Sequence, residues 1–237
     1  MKRLLLLSNS TMPGEPFFTW PREELIGFLK DGGPVAFVPY AGISLGFDLY
    51  YDLVKRMLDQ VGLTSFSLHQ EKDPVAALNN AGAIMTGGGN TFCLVKTLHE
   101  QGLVKAIREK VLNGIPYVGW SAGANMAGPT MKTTNDMPIV QPASFDAFNL
   151  IPYQINPHYT EATLPNQGGE SRLDRLKEFA IMNPGVPVAC LPEGSLLHVE
   201  GDTITVKGKA IRLLTAPEVI KDIASGSTLP AQTASPA

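Results

Sequence analysis

The chain has few cysteines, no long apolar run and little net charge, and each of these exclusions limits the class of protein that it can be. Only two cysteines occur, Cys93 and Cys190, each inside an apolar segment, which is typical of small core residues in a reducing compartment. No apolar run approaches the length of a membrane-spanning helix. The net charge is only -3, and the basic residues are scattered along the chain, so no basic field favours a nucleic-acid backbone. We therefore expect a cytoplasmic protein that binds neither nucleic acid nor a membrane.

Patterns of metal ligands are also missing. The chain has four histidines, and the most suggestive of them, His158, has no second histidine or cysteine at the spacing of a zinc site. The carboxylates do not follow the pattern of a calcium loop. The sequence predicts neither a metal site nor a cofactor.

Short apolar runs alternate with helical repeats along the first half of the chain. The runs are residues 4–7, 35–38, 66–68, 83–85 and 117–118. One of the helical repeats places residues 49, 53, 54, 57, 58 and 61 on a single core-facing stripe. Continuous apolar runs suit strands that are buried on both faces, and repeated strand–helix units lead to a parallel sheet covered on both sides. We predict an α/β fold of three layers, built on a mostly parallel, doubly wound sheet.

The second half of the chain is less regular. Residues 196–199 and 203–206 flank a turn and predict a β-hairpin, and a further strand is expected at residues 210–214. The C-terminal segment is thus expected to be rich in β-hairpins. We assign residues 1–224 to one α/β domain and residues 225–237 to a disordered tail, since the tail is small, polar and proline-containing.

The most informative segment is Gly119-Trp120-Ser121-Ala122-Gly123, which has the pattern G-x-S-x-G. It follows the apolar residues 115–118 and precedes the small residues 124–127, an order that predicts a strand, a sharp turn and a helix. In that context the pattern forms a nucleophile elbow, in which the serine hydroxyl projects above the sheet. Ser121 is therefore the candidate nucleophile.

A serine nucleophile needs a base and a carboxylate that orients the base. His158 is the candidate base because it follows an apolar segment and an Asn-Pro turn, which would hold it at the end of a strand. Two carboxylates are candidates for the third role. We prefer Asp136, because it lies between Ser121 and His158 and keeps the Ser, Asp, His order of other hydrolases with elbows. Glu193, which follows an apolar strand segment, is a close rival or a supporting acid.

A glycine-rich loop, residues 86–91, lies between a predicted strand and a predicted helix. It lacks the spacing of a dinucleotide-binding loop and the Gly-Lys-Ser/Thr ending of a phosphate-binding loop. We expect the backbone N–H groups of Gly88 and Gly89 to form an oxyanion hole with that of Ala122.

Taken together, several motifs resemble the peptidase E family, the α-aspartyl dipeptidases. These motifs are Ser8-Asn9-Ser10-Thr11, Gly87-Gly88-Gly89-Asn90-Thr91-Phe92, the segments 119–125 and 133–140, and Ile155-Asn156-Pro157-His158. The resemblance spans about the first 200 residues in order. It implies a fold like that of the class I glutamine amidotransferases. It also implies that the protein is a serine peptidase that hydrolyses dipeptides with an N-terminal aspartate, and that it forms a homodimer.

The resemblance also implies roles for individual residues. Ser121 and His158 correspond to the nucleophile and the base, Asp136 to the position where the charge-relay acid is commonly placed, and Glu193 to a position also proposed for that role. The segment Gly169-Glu170-Ser171-Arg172 supplies an arginine in this family, so Arg172 is the candidate receptor for the substrate carboxylate, a group that a bidentate guanidinium fits well. The loop at residues 166–170 is expected to act as a lid.

Three alternatives stay open from the sequence. One is a cyanophycinase-like hydrolase that acts on aspartate-containing polymers or on β-aspartyl peptides. The second is a non-catalytic binding protein on an amidotransferase-like scaffold, in which the elbow is only a turn. The third and most distant is a nucleotide-binding module that uses the glycine-rich loop.

Overall fold

The predicted alternation of strands and helices is present in the structure. The computed structural model describes residues 1–30, 32–163 and 168–232. The strands are β1 (Arg3–Leu7), β2 (Val35–Val38), β3 (Ser65–Ser67), β4 (Ala83–Thr86), β5 (Tyr117–Trp120), β6 (Gln154–Asn156), β7 (Val188–Cys190), β8 (Ser195–Glu200), β9 (Thr203–Gly208), β10 (Ile211–Ala216) and β11 (Val219–Ile223). The helices are α1 (Arg22–Leu29), α2 (Phe47–Asp59), α3 (Pro74–Ala77), α4 (Thr91–Glu100), α5 (Leu103–Leu112), α6 (Ala122–Asn125) and α7 (Arg172–Met182).

Within the residues that the structure describes, the main sheet has seven strands in the order β3-β2-β4-β5-β1-β8-β9. The first five strands of this order run parallel to one another, and β8 and β9 complete the sheet as an antiparallel hairpin. Strand β1 lies near the centre, where Leu7 is opposite Trp120 of β5 on one side and Leu196 of β8 on the other. The predicted α/β class, with a parallel sheet and a C-terminal hairpin, is confirmed.

The apolar runs bury their side chains on both faces of this sheet. Leu4 and Leu6 of β1 belong to the core that also contains the apolar faces of α4 and α5. Leu5 and Leu7 point the other way, into the core formed with α1 and α2. Successive side chains of a strand alternate between faces, so a continuous apolar run is expected when both faces are covered. The three layers are therefore helices, sheet and helices.

A second sheet of four strands was not predicted. Its order is β11-β10-β7-β6, with β6 and β7 parallel and the other pairs antiparallel. Helix α7 packs on this sheet through Leu176 and Ala180. The strand expected at residues 210–214 is β10, but it pairs with β7 and β11 instead of extending the hairpin of the main sheet.

The C-terminal segment differs from the expected tail. Part of it is bonded to β9: Leu229 is buried, its N–H group donates to the Ile204 carbonyl, and the N–H group of Gly226 donates to the Val206 carbonyl. The reason is that this segment continues beyond β11 along the edge of β9, where free backbone groups are available for pairing. Residues 233–237 lie outside the described residues. The same is true of residues 166 and 167 of the expected lid.

The carboxyl ends of several strands meet at one side of the molecule. Strands β1, β4 and β5 are neighbours and parallel, so the residues that follow them share one edge of the main sheet, the edge at which α/β proteins place their sites. Within the described residues, none of the helices combines the length and the apolar character needed to cross a bilayer.

Candidate active site

Ser121 lies in a sharp bend between β5 and α6. Its backbone has φ 53° and ψ -114°, a conformation that is rare for a residue with a side chain and is typical of a nucleophile elbow. The bend depends on Gly119, because a Cβ atom there would overlap the carbonyl group of Gly123. The N–H group of Ser121 donates to the Leu7 carbonyl at 3.1 Å, which ties the bend to the end of β1.

His158 lies two residues after the end of β6 and points its side chain at Ser121. Its Nε2 atom is 2.9 Å from Ser121 Oγ, a distance at which the hydroxyl donates to an unprotonated Nε2. The backbone of His158 has a positive φ of 51°. The structure thus brings together the predicted nucleophile and the predicted base.

Glu193 follows β7 and contacts the opposite side of the same imidazole. Its Oε1 atom is 2.9 Å from His158 Nδ1, so a proton on Nδ1 is donated to the carboxylate and Nε2 is left free to accept from Ser121. The side chains of His158 and Glu193 are 37% and 42% exposed. The pair is therefore open to a substrate from solution.

Asp136, the carboxylate preferred in the sequence analysis, does not contact the imidazole. Its Oδ2 atom accepts hydrogen bonds from the Thr91 N–H group at 2.7 Å, from the Thr91 hydroxyl at 2.5 Å and from the Thr134 hydroxyl at 3.0 Å. A carboxylate at the first residue of α4 satisfies a free N–H group and interacts favourably with the helix dipole. The geometry therefore replaces Asp136 by Glu193 as the partner of His158 and gives Asp136 a place at the start of a helix.

The glycine-rich loop lies directly against Ser121. A Cβ atom on Gly88 would come within 2.9 Å of the Cβ atom of Ser121, so only glycine allows this approach. Within the described part of the chain, no acceptor is bonded to the N–H groups of Gly88 and Gly89. Gly89 and Ala122 line one cavity beside Ser121, and Gly88 and Gly89 line a second. These three residues are thus near the nucleophile, as an oxyanion hole requires.

Tyr50 supports this loop, and sequence reasoning missed it. Its hydroxyl donates to the Gly88 carbonyl at 3.1 Å and accepts from the Trp120 indole N–H at 3.0 Å. Burial raises the pKa of Tyr50 well above its ordinary value, so the phenol keeps its proton for Gly88. No local pattern distinguishes Tyr50 from the other apolar positions of α2; only its contact with Gly88 reveals the role.

In the described part of the chain, Ser121 and His158 together line two cavities. The larger, of about 460 Å³, also contains Asp136 and Arg172. The smaller, of about 220 Å³, also contains Ser10 and Glu193. A hydroxyl between two cavities can meet a short substrate that extends to both sides of the reacting bond.

Arg172 begins α7 and reaches the larger cavity. Its Nη1 atom donates to the His158 carbonyl at 2.8 Å. Burial, followed by the charge of Arg175, lowers the pKa of Arg172. Within the described residues this contact uses one of the five N–H donors of Arg172, and a partly desolvated guanidinium can bind a carboxylate through the others.

Comparisons with known proteins identify the family of this chain. The family description "Peptidase family S51" matches residues 4–207. The chain is 46% identical over 208 residues to Peptidase E of Nostoc sp., which covers 87% of this chain and 86% of the relative. It is 48% identical over 202 residues to Peptidase E of Haemophilus influenzae, which covers 84% of this chain and 93% of the relative.

A solved structure shares the fold. The crystal structure of a peptidase from an acI-B1 actinobacterium superimposes with a TM-score of 0.72 at 18% identity and covers 97% of this chain and 96% of that chain. None of these findings favours the cyanophycinase-like or the non-catalytic alternative over a serine peptidase. Because the family description spans most of the chain and named relatives share nearly half of its residues, the chain belongs to peptidase family S51.

Proposed function

We propose that this chain is a serine dipeptidase that releases aspartate from the N-terminus of dipeptides, with Ser121 as the nucleophile, His158 as the base and Glu193 as the orienting acid. The observation that carries the proposal is the continuous pair of contacts from Ser121 Oγ to His158 Nε2 and from His158 Nδ1 to Glu193 Oε1, each 2.9 Å long. A serine, an imidazole and a carboxylate in this arrangement form a catalytic triad, which carries out acyl transfer.

In the first half of the reaction, Ser121 Oγ attacks the carbonyl carbon of the N-terminal residue while its proton passes to His158 Nε2. The negative charge that develops on the carbonyl oxygen is stabilised by the N–H groups of Gly88 or Gly89 and of Ala122. The imidazolium, held by Glu193, then gives its proton to the departing amine as the peptide bond breaks. The products of this half are a free amino acid and an ester of Ser121.

In the second half, water replaces the departed amine. His158 removes a proton from the water, the hydroxide attacks the ester, and the Ser121 oxygen leaves and recovers its proton from the imidazolium. Aspartate is released and the free enzyme is restored. His158 is thus the base in both halves of the reaction: it removes a proton first from Ser121 and then from the water.

Arg172 is the residue that we assign to recognition of the aspartate side chain. It lines the same cavity as Ser121 and His158, and a guanidinium pairs with a carboxylate more strongly and more directionally than neutral donors do. The names of the curated relatives support the peptidase activity. The preference for aspartate rests on the family resemblance and on this cation.

We also propose a homodimer in the cytoplasm. The homodimer rests on the family resemblance. The cytoplasmic location rests on two buried cysteines that form no disulfide, as expected in a reducing compartment. Light scattering would show twice the chain mass of 25.5 kDa for a dimer.

The test of the function is the variant Ser121→Ala, assayed with Asp-Leu. Loss of the nucleophile removes the covalent step, and the expected fall in kcat is on the order of 10⁶-fold. A serine-directed phosphonate should label the wild-type protein at Ser121 and leave the variant unlabelled. Ser67→Ala is the matched control, because it removes a buried serine hydroxyl that contacts Phe37 and His69, away from the site. Turnover of Asp-Leu by Ser121→Ala at the wild-type rate would refute the proposal.

A further inference from the structure

The motif Ser8-Asn9, which follows β1, has no part in the mechanism described above. Both side chains are buried, with Ser8 0% and Asn9 3% exposed. Strand β1 lies between β5, which leads to Ser121, and β8, which follows Glu193. The residues after β1 are therefore placed between the segments that carry the nucleophile and the orienting acid.

Three successive residues at this strand end each bond to a different part of the site. The Leu7 carbonyl accepts from the N–H group of Ser121 at 3.1 Å. The Ser8 hydroxyl accepts from the N–H group of His158 at 2.9 Å and donates to the Leu191 carbonyl at 2.8 Å. The Asn9 Oδ1 atom accepts from the N–H group of Gly194, directly after Glu193, at 2.9 Å.

These contacts act on backbone that regular secondary structure does not hold. His158 and Gly194 lie outside the strands and both have positive φ values, 51° and 83°. A positive φ is unfavourable for a residue with a side chain, so it persists at His158 only if surrounding contacts hold it. The Ser8 hydroxyl supplies one such contact, and because it also bonds Leu191 it links the His158 loop to the loop that leads to Glu193.

We propose that Ser8 and Asn9 are positioning residues for the hydrolysis, which keep His158 and Glu193 in line with Ser121. The inference rests on the proposed function, since it assigns these two residues to the same proton transfer. Ser8 lines neither cavity beside Ser121, and Asn9, which lines the smaller one, acts here through its bond to Gly194. Their effect is on the distances from His158 to Ser121 and to Glu193, and a displacement of about 1 Å at such a site can cost about a hundredfold in rate.

The experiment compares Ser8→Ala, Asn9→Ala and the control Ser67→Ala with the wild type. We expect both site variants to lower kcat for Asp-Leu by about tenfold to a hundredfold, because the proton transfer is misaligned. KM should change little for Ser8→Ala, because Ser8 lines neither of the two cavities beside Ser121. Asn9 also lines the smaller cavity, so for Asn9→Ala the imidazole resonance described below, and not KM, is the deciding measurement. The rate of labelling by the serine-directed phosphonate should fall in parallel. The low-field proton resonance of the imidazole Nδ1–H, which reports the bond to Glu193, should shift or broaden in the two site variants.

Ser67→Ala removes a similarly buried hydroxyl at another strand end, and we expect it to lower thermal stability without changing kcat, labelling or the imidazole resonance. If Ser8→Ala does not fold, Asn9→Ala carries the test alone, since it acts on Gly194 by a separate contact. The proposal is overturned if the folded site variants keep the wild-type kcat and resonance, or if their losses only follow the folded fraction. Failure of the wild type to be labelled would instead contradict the proposed function.

Discussion

Of the two carboxylates that the sequence suggested as the orienting acid, only Glu193 bonds to His158. Glu193 bonds the Nδ1 atom of His158, whereas Asp136 accepts three hydrogen bonds from Thr91 and Thr134. The order Ser, Asp, His in the chain favoured Asp136, but order along a chain does not determine which oxygen faces an imidazole. Residue types alone therefore narrowed the choice to two without deciding it.

The variants Glu193→Gln and Asp136→Asn distinguish these roles. For Glu193→Gln we expect kcat to fall by on the order of 10⁴-fold, since an amide cannot stabilise the imidazolium. For Asp136→Asn we expect the free energy of unfolding to fall by about 1 kcal/mol, through the weakened start of α4. Steady-state assays and urea denaturation measure the two effects. A fall in kcat for Asp136→Asn as large as that for Glu193→Gln, with unchanged stability, would contradict the assignment.

The proposed role of Arg172 in binding the aspartate side chain can be tested by comparing Asp-Leu with Asn-Leu as substrates. Replacing it with methionine should lower kcat/KM for Asp-Leu relative to Asn-Leu by about a hundredfold, because a bond between charged groups contributes about 3 kcal/mol. The ratio isolates the carboxylate contact from the bond that Arg172 makes to His158. Arg175→Met is the matched control, since this side chain is 73% exposed. An unchanged ratio in Arg172→Met would show that another group recognises the aspartate.

At the scale of elements, the bend between β5 and α6 shows why the elbow pattern needs glycine. Gly119 approaches the Gly123 carbonyl too closely for any side chain. By contrast, Gly27 lies in the interior of α1 with open space around the position of a Cβ atom.

These two glycines give opposite predictions for the same substitution. Gly119→Ala should lower the free energy of unfolding by about 2 kcal/mol or more, because the backbone must shift to relieve the overlap. Gly27→Ala should raise it by about 0.5–1 kcal/mol, because alanine loses less conformational entropy in a helix. Urea denaturation of both variants checks the pair. Equal effects of one sign would contradict this account of the elbow.

Helix α2 shows the limit of pattern reasoning at the same scale. The expected stripe included Leu49, which is 61% exposed in the structure, whereas Tyr50 and Tyr51 are buried. Tyrosine is difficult to assign from a pattern because its ring is apolar and its hydroxyl needs a partner. The partners here are Gly88 and Ser65, which lie on other elements.

At the scale of the whole molecule, His198 of β8, whose ring packs against Phe28 of α1, makes stability depend on pH. Burial, followed by the charge of Lys207, lowers the pKa of His198 below its ordinary value of 6.5. Arg3 also lowers this pKa, while Glu24 and Glu200 raise it. In the unfolded chain these influences are lost, so between pH 6.5 and the lower pKa of the folded state the unfolded chain binds a proton that the folded protein does not.

The sign of this effect follows from linkage. The contribution of His198 to the free energy of unfolding is fully present above about pH 6.5. It is lost as the pH is lowered towards the depressed pKa of His198 in the folded state. We expect His198→Gln to lose less stability than the wild type between about pH 7.5 and pH 5. Urea denaturation at both pH values measures the difference. The assignment is wrong if both proteins lose the same free energy.

Local sequence patterns were sufficient to predict the main sheet, its helices and the elbow. The runs of apolar residues required strands buried on both faces, and the helical repeats between them required helices on both sides of a parallel sheet. The segment 119–123 predicted the elbow, because glycines at both of its ends allow the close backbone approaches that the bend requires. These features are local, and local conformation depends on residues that are close along the chain.

Which groups meet at Ser121 depends on contacts between distant parts of the chain. Glu193 lies 35 residues from His158 along the chain and Ser8 lies 150 residues from it, and no local pattern records such a separation. The second sheet was missed for the same reason, since β10 pairs with β7 across 20 intervening residues. Long-range contacts depend on how the buried faces of all elements pack together, and that packing is a property of the whole chain.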